Sequence, residues 1–130
     1  MGAWSHRSFD NDDALDFIEE VEADGEPAVA NAFEVVNHLG ADDYLEAPDA
    51  SVAVAAAELV AAALGKPLAG LPDEARALVP KIRTQKTLRG PALKAVTRVL
   101  EDSELLGLWK ESKDFEPWRE SVSDLIGRLS

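Results

Sequence analysis

The 130-residue chain has no cysteine, two histidines and one methionine, and aromatic residues make up 6% of it. Without cysteine there are neither disulfides nor thiolate metal sites, and a reducing cytoplasm is the natural setting. No window reaches the roughly 18 apolar residues that a membrane span needs, and no apolar run follows a basic segment as in a secretory leader. The expectation is a soluble cytoplasmic protein. Positive charge is also scarce: 13 Lys and Arg stand against 25 Asp and Glu, for a formal net charge of -12. That balance repels phosphate backbones and anionic lipid surfaces, which argues against nucleic acid and membrane as partners.

What charge there is falls in blocks. From Ser8 to Gly65 the chain has fifteen acids and no Lys or Arg. From Ala75 to Leu100 it has seven bases, Arg76, Lys81, Arg83, Lys86, Arg89, Lys94 and Arg98, and no acid. Two arrangements account for this. Either the segments lie side by side and neutralise each other within the fold, the favoured reading, or the acidic face of one molecule meets a basic face of a second copy or of a partner.

Hydrophobic content of 46% in a chain of this length fits one domain that buries roughly two thirds of its unfolded surface. Ala14, Phe17, Ile18 and Val21 keep the i, i+3, i+4, i+7 spacing of one helical face, which gives helix one over about residues 11 to 23. Asp24-Gly25 breaks it, and Pro27 sits well in the first turn of a second helix. That helix points Val29, Ala32, Phe33, Val35, Val36 and Leu39 inward and stops at Gly40. A loop through Asp42, Tyr44, Glu46 and Pro48 leads to Asp49, the expected N-cap of helix three.

From Val52 to Leu64 every residue is Ala, Val or Leu except Glu58, and a helix apolar all round is a buried one. It is expected to be the central strut. Gly65-Lys66-Pro67 ends it. Leu71-Pro72-Asp73-Glu74 opens helix four, which Pro80 kinks or stops early. Gly90-Pro91 starts helix five, Asp102-Ser103 interrupts it, and Trp118, Val122, Leu125, Ile126 and Leu129 mark helix six. No alternating run of β-branched residues suggests a sheet. The expectation is all-α: a single compact domain over 1–130, five or six helices around the alanine-rich helix, with residues 1–10 docked on a bundle formed by 11–130.

Trp4, His6, Asp10, Asp12 and Asp13 crowd the N-terminus, where most domains fray. Helix initiation explains the acids: with Asp10 as N-cap, Asp13 occupies the capping-box position, and Phe9 with Ala14 forms a hydrophobic staple. A divalent-metal site is the weaker reading, because Leu15 stands where a calcium loop needs glycine. No cofactor motif is present. Glu58 must find a partner or shift its pKa; the expected partners are the Trp4 indole, His6, Arg7 or backbone amides of the docked N-terminus. His38 suits a helix C-terminus. Trp4, Trp109 and Trp118 are read as core or interface anchors rather than an aromatic cage. Tyr44-Leu45 is either a docking spot or a core plug.

Gly2-Ala3-Trp4, then Phe9 to Ala14, Tyr44 to Ser51, Ala55-Ala56-Ala57-Glu58, Leu71-Pro72, and Arg98 to Leu105 with Trp109 together resemble a family of small uncharacterised bacterial proteins classed as a domain of unknown function. Ser5, His6 and Arg7 stand where that family has glycines. The resemblance implies a shared fold and no mechanism, and it marks the N-terminal block, the loop with Tyr44, Glu46 and Asp49, and Glu58 as places to look. The functional expectation is a non-enzymatic module that binds a protein partner or a second copy. The alternative is a metal- or ligand-dependent enzyme, or a small-molecule-binding protein, using Glu58 with the N-terminal acids and His6.

Overall fold

The computed structural model describes residues 12–130, which form seven α-helices and one 3-10 turn with no strand among them. The helices are α1 (Asp12–Asp24), α2 (Glu26–Asn37), α3 (Ala47–Ala63), α4 (Asp73–Arg76), α5 (Gln85–Glu101), α6 (Glu104–Lys110) and α7 (Phe115–Leu129), with the 3-10 turn at Val79–Lys81. The all-α expectation holds, and the count rises to seven. The added helix is α6, which begins afresh after the break at Asp102, while the expected helix four is only the four residues of α4 before the 3-10 turn that contains Pro80.

α3 is the hub. It packs on α1, α2, α5, α6 and α7, and Ala50 through Ala61 are buried except for the half-buried Val52. Its alanines present little side-chain bulk, so neighbours can approach on every side. Around it, α1 lies on α2, α2 on α5, and α5 on α6 and α7. α1 and α5 therefore flank α2. The helix ends where Gly65 takes φ 90°, and Lys66 N–H donates to Ala61 O (2.9 Å) while Gly65 N–H donates to Ala62 O (3.0 Å). These are the two bonds of a Schellman motif, and only glycine adopts that φ without strain.

Ala14, Phe17, Ile18 and Val21 are buried as the spacing of α1 requires. Gly25, at φ 75°, is the single residue between α1 and α2. On α2, Val29, Ala32, Phe33 and Val36 are buried, but Val35 is 41% exposed. It stands one step around the helix from the apolar stripe, so it faces outward. On α7, Trp118, Val122, Leu125 and Leu129 are buried, and Trp118 stacks on Trp109 of α6 at 6.3 Å between ring centroids. The two rings are core anchors, while Trp4 lies outside the described residues.

Two helix starts differ from expectation. α3 begins at Ala47 with Glu46 as N-cap, so Asp49 falls within the first turn instead of capping it. α5 begins at Gln85, and Pro91 lies inside the helix. Proline there forfeits a backbone hydrogen bond. The extra turn and a half is held by long-range contacts: Leu88 is buried, and Glu26 Oε2 accepts from the amides of Arg83 (2.7 Å) and Thr84 (2.8 Å) just before the helix. Those amide bonds, led by that from Thr84, outweigh the opposing effect of burial and lower the Glu26 pKa from its ordinary value of 4.5.

A lowered folded-state pKa contributes stability above the unfolded value, and this is lost as pH falls through the folded value. Glu26→Gln is therefore expected to cost about 1 kcal/mol at neutral pH, as loss of a cap does. Urea titrations of both proteins at a series of pH values check this: the gap should close as pH drops below 4.5. A gap that does not depend on pH contradicts a charged cap.

Candidate functional site

Glu58 is fully buried in the C-terminal half of α3, and its burial is matched by Arg128 from the last turn of α7. Arg128 Nη1 donates to Glu58 Oε1 at 2.7 Å and Nη2 to Oε2 at 3.2 Å, the two-pronged geometry that suits a guanidinium to a carboxylate. Its Nε donates to Asp124 Oδ2 (2.8 Å), and Nη1 also reaches Lys66 O just beyond α3 (3.2 Å). One guanidinium thus ties α7 to the C-terminal half of α3 and to the chain just beyond its end. Burial lowers the Arg128 pKa, but the bonds and charges of Glu58 and then Asp124 more than reverse this and raise it, so the cation is secure. The Glu58 carboxylate thus has no solvent contact, and each of its oxygens accepts from Arg128. Arg128 is a partner that sequence reasoning missed. The expected meeting of Glu58 with Trp4, His6 or Arg7 lies outside the described residues.

A second constellation sits at the opposite end of α3, about 18 Å away for twelve residues of helix. Arg98 of α5 donates to the carbonyls of Gly40 (Nη1, 3.1 Å) and Asp43 (Nη2) and to Asp102 O (Nε, 3.1 Å). Asp43 Oδ2 accepts from Gly40 N–H at 2.7 Å, closing the turn. Glu104 Oε1 accepts from Ala47 N–H (2.7 Å), so the first amide of α3 is capped by α6, and Glu104 N–H donates to Leu45 O (2.9 Å). Ser103 Oγ in turn caps α6 by accepting from Leu106 N–H at 3.0 Å. The segments 44–51 and 98–105, which carry much of the family resemblance, are therefore bonded to each other.

The loop they form treats its two apolar residues oppositely. Leu45 is buried, whereas Tyr44 is 65% exposed. Desolvation first, then a hydrogen bond to Glu104 and the charges of Glu104 and Glu46, raise the Tyr44 pKa. Tyr44 and Glu46 thus share this corner. Asp12 and Asp13 lie in the first turn of α1, and Asp49 lines a separate hollow. Trp4, His6 and Asp10 lie outside the described residues. The candidate residues that can be placed are distributed over several regions.

Two hollows flank α2. One, of about 200 Å³, lies against α1 and α3 and is lined by Phe17, Ala28, Val35 and Val52 together with Glu20 and Asp49. The other, of about 250 Å³, lies against α5 and is lined by Ala30, Phe33, Leu88 and Pro91 together with Glu34 and His38. His38 Nδ1 is 2.9 Å from Glu34 O, at the C-terminal end of α2. Among the described residues no group of three or more His, Asp or Glu is placed to hold a metal ion.

The charged blocks lie side by side, with α5 packed on α2 and α3, but among the described residues they form no ion pair with one another. Among the described residues, ion pairs join Arg76 to Asp73, Arg98 to Asp102, Arg119 to Glu116, and Arg128 to Glu58 and Asp124. None of them links an acid of the 12–58 segment to a base of the 76–98 segment. The favoured expectation of neutralisation by direct contact within the fold is not met there. α2 stands between α1 and α5, and the bonds that cross the divide run from Arg98 to carbonyls, from amides to Glu26 and from the Asn37 side chain to Pro91 O.

No curated protein and no solved structure matches the chain. The family model described as "Domain of unknown function (DUF4259)" matches residues 2–121, so nearly all of the helical bundle, including the Arg98 and Glu104 corner and Glu58, is encompassed. The chain belongs to the DUF4259 family.

Proposed function

We propose that this chain is a non-enzymatic protein-interaction module whose recognition is carried by charge. The observation behind the reading is the absence, among the described residues, of ion pairs between the acid-rich and base-rich segments. Asp16, Glu19, Glu20 and Glu22 on α1 are exposed, as are Lys86, Arg89 and Lys94 on α5. Charge left outward in this way steers encounter and selects partners more than it stabilises the fold. Glu58 supports the non-catalytic side, because a carboxylate sealed from solvent and held on Arg128 is not available as an acid or base for a substrate.

Affinity capture with the intact chain as bait tests the reading, set beside a variant carrying Asp16→Asn, Glu19→Gln and Glu20→Gln. The expected result is a stoichiometric protein partner held by the parent chain and lost from the variant. An identical set of captured proteins for both baits, or no partner for either, contradicts it.

A further inference from the structure

We infer that the exposed face of α2 is the interface of a two-fold homodimer, in which the acidic edge of α1 in one copy meets the basic edge of α5 in the other. This rests on the interaction reading above and names the partner as a second copy of the chain. On α1, Asp13, Asp16, Glu20 and Asp24 follow at helical spacing along the edge that carries Glu20, which lines the hollow beside α2. Across α2, Pro91 of α5 lines the other hollow, and the exposed Lys94 lies one turn farther along that side, with the exposed Arg83 just before the helix. Neither base is in an ion pair among the described residues.

A two-fold axis that lies in the plane of the α2 face and runs more along α2 than across it brings each acidic edge against the other copy's basic edge, twice, and closes the assembly without an open chain of contacts. The same operation sets the α2 ridge, with the 41% exposed Val35, over the hollows beside its counterpart. A chain of net charge -12 repels its copy at long range. At 0.15 M salt, however, a Debye length of about 8 Å screens the whole-molecule charge and leaves contact pairs in force.

Sedimentation equilibrium of the full chain at physiological salt tests the inference. The expected mass is about 28 kDa, twice the 14.0 kDa of one chain. Val35→Arg should raise the dissociation constant roughly tenfold or more, with an unchanged Tm showing that the fold is intact. Glu20→Lys and Lys94→Glu should each weaken the dimer, and the chain carrying both should regain it, because the charges are then exchanged across the axis. A 14.0 kDa species at every concentration overturns the homodimer, as does a dimer indifferent to Val35→Arg or a double variant that is not restored. A monomer that still captures a different protein through its α1 acids overturns the homodimer alone and leaves the interaction reading standing.

Discussion

Arg128→Ala is expected to destabilise the fold by about 3–5 kcal/mol, because it removes a cation bonded to both oxygens of the buried Glu58 carboxylate. Domains of this kind have only about 5–15 kcal/mol in total, so such a loss consumes much of the margin. It corresponds to a drop in Tm of roughly 10–20 °C. The physics distinguishes an ion pair from a well-filled apolar contact. Taking two charges out of water costs nearly as much as their attraction returns, so losing one partner does more harm than losing both.

Glu58→Leu combined with Arg128→Met is accordingly expected to be more stable than Arg128→Ala alone. Urea denaturation of the parent, Glu58→Leu, Arg128→Met and the double variant, arranged as a cycle, reads the coupling. If Arg128→Ala costs less than about 1 kcal/mol, in the range of exposed pairs, the bridge from α7 to α3 does not anchor the bundle. The side-chain exposures, 15% for Arg128 and 0% for Glu58, place this pair well outside that exposed class.

Trp118→Ala is the other large effect, with an expected cost of about 3–5 kcal/mol for emptying an aromatic site in the core. Trp118 is 3% exposed and lies between two rings: Trp109 at 6.3 Å with an interplanar angle of 11°, and Phe115 at 6.3 Å and 29°. The stack joins α6 to α7, and α6 in turn supplies Glu104 to the start of α3. Loss of the ring is expected to loosen α6, so the damage reaches the Tyr44 loop as well as α7. Hydrogen exchange resolves the two contributions: amides of α6 and the α3 N-terminus should exchange faster in Trp118→Ala, while those at the α1–α2 junction stay near the parent rates. Trp118→Phe keeps part of the stack and should lose less. Uniform acceleration across the chain would mean that the stack acts on global stability alone.

The separate regions of the bundle bear differently on function. The Glu58–Arg128 bridge and the aromatic stack hold the bundle together. The Arg98–Glu104 corner shapes a loop and exposes Tyr44, and the flanks of α2 present opposite charges on either side of one helix. The exposed charges and the two hollows lie at the surface, where a partner can reach them.

Much of the architecture is legible in the sequence, because helix formation depends on neighbours three and four residues apart. The stripe Ala14, Phe17, Ile18, Val21 marks the buried face of α1, and the run from Val52 to Leu64 marks a helix enclosed on all sides. The glycine at 65 marks where that helix must turn. The misreadings at Val35, Asp49 and Pro91 occur at edges, where a residue lies beside the apolar stripe or a helix end is set by a distant group.

Distance along the chain separates what was readable from what was not. Glu58 demanded a partner by its own chemistry, since a carboxylate in an alanine helix is costly without one. That the partner includes Arg128, 70 residues away, followed only from the packing of α7 on α3. Likewise Glu104 caps α3 and Glu26 caps the approach to α5 across separations of 57 and 58 residues. The sequence by itself determined the helices, the buried strut and the segregation of charge, all of which rest on composition and local periodicity. Tertiary structure alone decided which charges meet, because side chains so far apart in sequence interact only where packing brings their elements together.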